Sequence, residues 1–183
     1  MSTGEIKELL RTYRQRMKRL LANAPSGLAD EMLPSLGPSL TSETEVAALA
    51  LKAAIVLPPS LLGYLCAPAV ERDLEWSEIV VPGNTDLSRW RVFFAENQLL
   101  KLGLLQVAMG PCGDPVCLDF SRRRKDGECP VVVINHDRLA ADHWSSEKAV
   151  REHVSVEFDS FLQLLRVVCE GTPVQFRNAS AEG

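Results

Sequence analysis

The stretch Leu104–His136, LLQVAMGPCGDPVCLDFSRRRKDGECPVVVINH, decides the fold. Leu105, Val107 and Met109 alternate with Gln106 and Ala108, the period-two pattern of a strand with one face turned inward. Val116, Leu118 and Phe120 alternate in the same way with Cys117 and Asp119. Pro130 to Ile134 is an unbroken apolar run, as expected of a strand buried on both faces. Gly110 to Asp114 is short enough for a tight turn, and Gly113 is expected there at positive φ. Ser121 to Glu128 is a longer loop with an Asp126-Gly127 turn signal. The stretch therefore reads as a three-strand antiparallel meander.

Outward from this centre, toward the N-terminus, the pattern becomes mostly helical. A helix is expected over 86–100, with Leu87, Trp90, Phe94 and Asn97 on one face. A strand is expected at Glu78 to Val81, after the acidic loop Glu71-Arg72-Asp73-Leu74-Glu75. Pro59 opens a short helix through Cys66, since its missing N–H is tolerated at the first helical position. Ser42 and Glu45 have capping-box spacing ahead of another helix. Residues 25–40 are rich in Pro, Gly and Ser and read as a connection. Over residues 4–23, Ile6, Leu9, Leu10, Tyr13, Met17, Leu20 and Leu21 form one apolar stripe opposite a basic face. Such a helix suits docking on the body, a membrane surface, nucleic acid or a homodimer; docking is the reading that patterning favours. Toward the C-terminus, 137–153 is a polar connection. A closing helix is expected from Ser155 as N-cap, with Glu157 and Asp159 near its positive dipole end. Residues after about 175 read as a tail.

With 183 residues the chain has length for one substantial core. No apolar run reaches the roughly 18 residues a membrane helix requires, and the first residues lack the pattern of a signal peptide. A cytoplasmic location is the expectation. The net charge of −4 is uneven: residues 1–24 carry +4 and the remainder −8. An acidic body disfavours direct nucleic-acid binding and suits a basic partner. Five cysteines, an odd number irregularly spaced, suit buried or free thiols better than disulfides.

Sites of chemistry are sparse. A phosphate cradle at Gly110–Asp114 is disfavoured because Pro111 and Pro115 remove two N–H groups and a strand follows where a helix is needed. Cys112, Cys117, Cys129, His136 and His143 have four, eleven, six and six residues between them, which matches no zinc pattern, so no metal or other cofactor is expected. A Cys or His hydrolase would have to use His136, His143 or His153 without a local nucleophile signature. The acidic groups Glu71, Asp73, Glu75, Asp114, Asp119, Asp137 and Asp142 fall in loops and strand ends, where together they can steer a basic partner. Arg122 to Lys125 is a basic loop suited to an acidic ligand.

The turn Gly113-Asp114-Pro115 followed by Val116-Cys117-Leu118-Asp119 resembles the central signature of the SUKH superfamily. That group includes yeast cell-wall synthesis regulators and bacterial immunity proteins against secreted toxins. Leu57 to Leu62, Leu74 to Ile79 and Ser155 to Leu162 resemble its other elements in the same order, over residues 41–170. The chain departs from many members by having Cys66 to Val70 where they carry a glycine pair. The resemblance implies a single α+β domain at 41–174 with a mostly antiparallel sheet. An N-terminal helical extension, 1–40, would precede it, and a tail, 175–183, would follow. It also implies a non-enzymatic immunity protein that neutralises a cognate toxin by stoichiometric occlusion. Glu71, Asp73, Glu75, Asp114 and Asp137 would then form the partner-binding surface. A regulatory interaction module of the cell-wall-regulator kind is the alternative.

Overall fold

The structure, a computed structural model, describes residues 3–25, 36–39, 41–85, 87–95, 98–139 and 146–174, with 33, 144 and 176 as single positions. Its centre is a six-stranded antiparallel sheet in which every strand pairs with its sequence neighbour. The strands are β3 Leu74–Trp76, β4 Ile79–Val81, β5 Leu104–Met109, β6 Pro115–Asp119, β7 Val131–Ile134 and β8 Val154–Phe158. A separate ribbon pairs β1, Leu36–Gly37, with β2, Ala69–Val70. Among the described residues there are seven α-helices: α1 Thr3–Leu20, α2 Glu43–Lys52, α3 Pro59–Leu65, α4 Leu87–Phe94, α5 Gln98–Lys101, α6 Glu147–Glu152 and α7 Phe161–Glu170. The α+β class read from the sequence is the class observed.

The continuous apolar run of β7 has its physical reason in two cores. Val131 and Val133 enter the main core, which also takes α1, α3, α4 and α7. Val132 and Ile134 enter a second, smaller core with Leu99, Leu139 and Val150 on the opposite face. Burying a valine contributes about 1.5–3 kcal/mol, so a polar residue anywhere in β7 would damage one core or the other. Ile6, Leu9, Leu10 and Tyr13 of α1 are buried in the main core. That settles the first helix as docked, and its apolar stripe is not free for a membrane; Leu20, near its end, remains exposed. No helix among the described residues is long and apolar enough to cross a membrane.

Local expectations hold at several points. Ser42 and Glu45 form the reciprocal capping box. Pro59 occupies the first turn of α3. Gly113 and Gly127 sit at φ 88° and 84°. The segment Pro82-Gly83-Asn84, after β4, does far more than reverse the chain. Asn84 donates through Nδ2 to the carbonyls of Tyr64, Ala67 and Pro68 and accepts from the Val70 N–H, stapling the end of α3 to β2. A β-carbon on Gly83 would meet the Arg72 carbonyl oxygen at 2.9 Å, so no larger residue fits there.

Four expectations are corrected. The closing helix does not begin at Ser155. Val154 to Phe158 is the last strand of the sheet, and Ser160 caps α7 by accepting from the Gln163 N–H. Glu157 therefore lies in the strand, while Asp159 immediately precedes the Ser160 cap and donates its N–H to the Gln163 side chain. The helix expected over 86–100 is two. Trp90 and Phe94 of α4 serve the main core while Leu99 of α5 serves the second, and one straight helix cannot reach both faces of the sheet. Asn97 lies outside the described residues. Within the connection expected at 137–153 stands α6, capped by Ser146. Phe176, assigned to the tail, is buried against the main core.

Candidate functional site

Between α1 and the β3–β4 hairpin runs a groove of about 700 Å³. The hairpin supplies most of its chemistry. Trp76 pairs directly with Ile79, so Ser77 and Glu78 alone make the turn, at φ 50° and 67°. A two-residue hairpin turn with both φ values positive normally calls for Asn-Gly or similar residues, because a β-carbon in this region is strained by roughly 1–2 kcal/mol per residue. Alternation along β3 buries Leu74 and sends Glu75 outward.

Tyr13 and Arg16 join the helix to this edge strand. The Glu75 N–H donates to the Tyr13 hydroxyl at 3.0 Å, so α1 covers a donor that an edge strand would otherwise expose. Burial pushes the Tyr13 phenol pKa up, with the Glu75 hydrogen bond opposing it. The Arg16 guanidinium stacks on Trp76, 4.2 Å from the ring centroid, and lies 5.2 Å from that of Tyr13. Burial lowers its pKa, and its three nitrogens have no hydrogen-bond partner among the described residues. Its stabilisation comes from the ring faces. Trp76 in turn donates through Nε1 to the Thr172 carbonyl at 2.8 Å. Met17 and Leu20 complete an apolar wall of the groove.

The five expected partner-binding residues fall into two groups. Glu71, Asp73 and Glu75 line the groove together with Glu78, which the sequence reading left out. Of these, Asp73 is matched: it pairs with Arg89 at 2.5 Å and accepts from the Gly83 N–H. Glu71, Glu75 and Glu78 are exposed and make no ion pair among the described residues. Asp114 and Asp137 lie at β6 and β7, three and four strands from β3, or roughly 14–19 Å across the sheet. Asp114 accepts from the His136 backbone N–H at 2.9 Å and contacts its Nδ1 at 2.6 Å. Asp137 stands 3.2 Å from Nε2 of the same ring. This cluster ties the start of β6 to the end of β7.

Other candidates are occupied internally. Asp119 is fully buried, not a surface charge. It accepts from Arg151 at 2.7 Å and from the Ser121 hydroxyl at 2.6 Å, with Arg122 at 3.5 Å. In the basic loop, Arg124 pairs with Asp126 at 2.6 Å, and Arg123 donates to the Val56 carbonyl and stacks on Phe120. Only Lys125 of that loop is left without a partner among the described residues, which removes most of its appeal for an acidic ligand.

Burial also sets the thiol chemistry. It pushes the pKa of Cys66, Cys117 and Cys129 up and that of Cys169 to about 12, the opposite of an activated nucleophile. Cys112 is exposed, and no thiol or hydroxyl hydrogen-bonds to His136 among the described residues. No group of three His, Cys, Asp or Glu side chains among those residues is placed to hold a metal ion; Asp142 and His143 lie outside them.

The groove was only half legible. Glu71 to Glu75 stand out as an acidic run, whereas the Ser77-Glu78 turn lacks the glycine or asparagine that marks such hairpins. A scan against protein-family models finds no match for this chain, and searches of curated proteins and of solved structures find none.

Proposed function

We propose that the groove beside β3 is the docking site of a basic protein, and that the chain is a cytoplasmic immunity protein which occludes a cognate toxin. The observation that carries the reading is the Ser77-Glu78 turn. It holds a carboxylate at the lip of the groove in a backbone conformation that glycine or asparagine would adopt with far less strain. Strained residues persist where something other than stability retains them. Around Glu78, Glu71 and Glu75, without ion pairs among the described residues, form a charged rim, and Met17, Leu20 and Trp76 supply the apolar contact that a stable interface needs. Toxin neutralisation as the purpose of such docking rests on the SUKH resemblance at Gly113 to Asp119. Binding by occlusion asks for no catalytic group; the rim charges would accelerate encounter and the apolar wall would slow release.

Co-purification from the native host identifies the partner. Association rates are then measured against ionic strength for the wild type and for Glu71→Lys/Glu75→Lys/Glu78→Lys. Asp73 is left intact because Arg89 depends on it. The variant is expected to associate at least about tenfold more slowly at low salt and to lose most of the salt dependence. Equal rates and equal salt slopes would remove the groove from the interface.

A further inference from the structure

α1 separates two clefts of opposite sign. Lys7, Arg11, Arg14 and Lys18 line a second cleft of about 600 Å³, facing Leu36 and Pro68. These four cations follow the helical repeat and form one basic edge roughly 16 Å long. Their charge is largely unspent. Arg11 reaches Glu8 at 3.3 Å in an exposed pair, the other three have no ion pair among the described residues, and Arg14 Nε is buried without a hydrogen-bond partner. α1 contributes to both clefts, lining the basic one with Lys7, Arg11, Arg14 and Lys18 and the acidic one with Tyr13, Met17 and Leu20, so the two patches adjoin one helix.

We infer that the surface carrying these two patches pairs with a second copy of itself about a two-fold axis, the basic edge of each α1 lying in the acidic groove of the other. A two-fold operator presents each complementary contact twice, which is what a face carrying both signs requires. The charge on residues 1–24, +4, meets the −8 of the remainder, and Leu20, 62 % exposed at the end of α1, gains an apolar neighbour. Nucleic acid fits this face poorly. It is uniform in sign, and an occupant of the basic edge would stand about one helix diameter, roughly 10 Å, from Glu71, Glu75 and Glu78. That distance is close to the Debye length at physiological salt, so the repulsion is only partly screened. The inference does not rest on the toxin reading, because it concerns the purified chain alone. Where both hold, a basic partner displaces the second copy.

The test is sedimentation equilibrium of the purified full chain at low and high salt, with two charge-reversed variants. One is Lys7→Glu/Arg11→Glu/Lys18→Glu, the other Glu71→Lys/Glu75→Lys/Glu78→Lys; all six side chains are exposed. Circular dichroism and melting confirm that each variant folds. The wild type is expected to dimerise, with Kd rising roughly tenfold or more as the Debye length falls from about 10 Å to about 3 Å. Each variant alone is expected to be monomeric, since both contacts become repulsive. An equimolar mixture of the two is expected to form a heterodimer, because every reversed edge then faces a reversed groove. A wild type that stays monomeric at low salt, variants that still dimerise, or folded variants that fail to pair when mixed would each overturn the inference.

Discussion

The guanidinium of Arg16 occupies the volume that a β-carbon on residue 171 would need. Gly171 ends α7 at φ 75°, donating its N–H to the Val167 carbonyl, so the backbone favours glycine there, and a side chain would in addition have to displace Arg16 from Trp76. The placement also sets a cation at the negative end of the helix dipole, which favours the pairing of α1 with α7. Glu5 and Arg166, 2.8 Å apart, bind the same two helices further along.

Gly171→Ala should therefore destabilise by more than the roughly 1 kcal/mol or so of a plain left-handed alanine. We expect about 2–4 kcal/mol in urea denaturation, and a double-mutant cycle with Arg16→Ala that is non-additive by about 1 kcal/mol. Strict additivity would show that Arg16 does not fill that space.

At the hairpin the expected sign is reversed. Ser77→Asn/Glu78→Gly replaces two strained residues with those a two-residue turn prefers and should stabilise by about 1–2 kcal/mol. The melting temperature should rise while binding of the basic partner weakens. A fall in melting temperature would mean that the turn carries no strain.

Removing Asp119 tests the buried pair. Asp119→Ala leaves Arg151, which also donates to the Leu102 carbonyl, facing a hole beside the second core. The expected loss is about 3–5 kcal/mol, whereas a solvated carboxylate would change stability by less than about 0.5 kcal/mol.

Thiol labelling at neutral pH should follow burial. Cys112 should react at once and Cys66 slowly; Cys117, Cys129 and Cys169 should react only on unfolding. The sign follows from their raised pKa values, which keep the buried groups as unreactive thiols well above neutrality. Five equal rates would contradict the packing described.

What was legible in the sequence depended on how far apart the cooperating residues stand. β5 to β7 read correctly because burial on one or two faces writes itself into neighbouring positions. The closing helix did not, because Ser155 and Ser160 are both good caps. Val154, Val156 and Phe158 could continue a strand while Phe158, Phe161 and Leu165 could belong to a helix; pairing with β7 decided it. Asp119 looked like a surface charge because its partner is 32 residues away in a segment with little periodicity. The groove divides in the same way. Its acidic run is contiguous, but the wall that makes it a groove comes from α1, some sixty residues earlier.

The contact between the first helix and the last has a consequence for synthesis. β3 through β7 can form in order as the chain emerges, since each strand needs only its predecessor. The residues of α1 emerge before those of the sheet, yet their apolar face has its main partner in α7, more than 140 residues later. At about 5–20 residues per second, that face waits roughly 7–30 s on the ribosome before its permanent cover arrives. During this interval Ile6, Leu9, Leu10 and Tyr13 lack the cover that α7 gives them in the folded chain, so a helix made before the sheet settles after it.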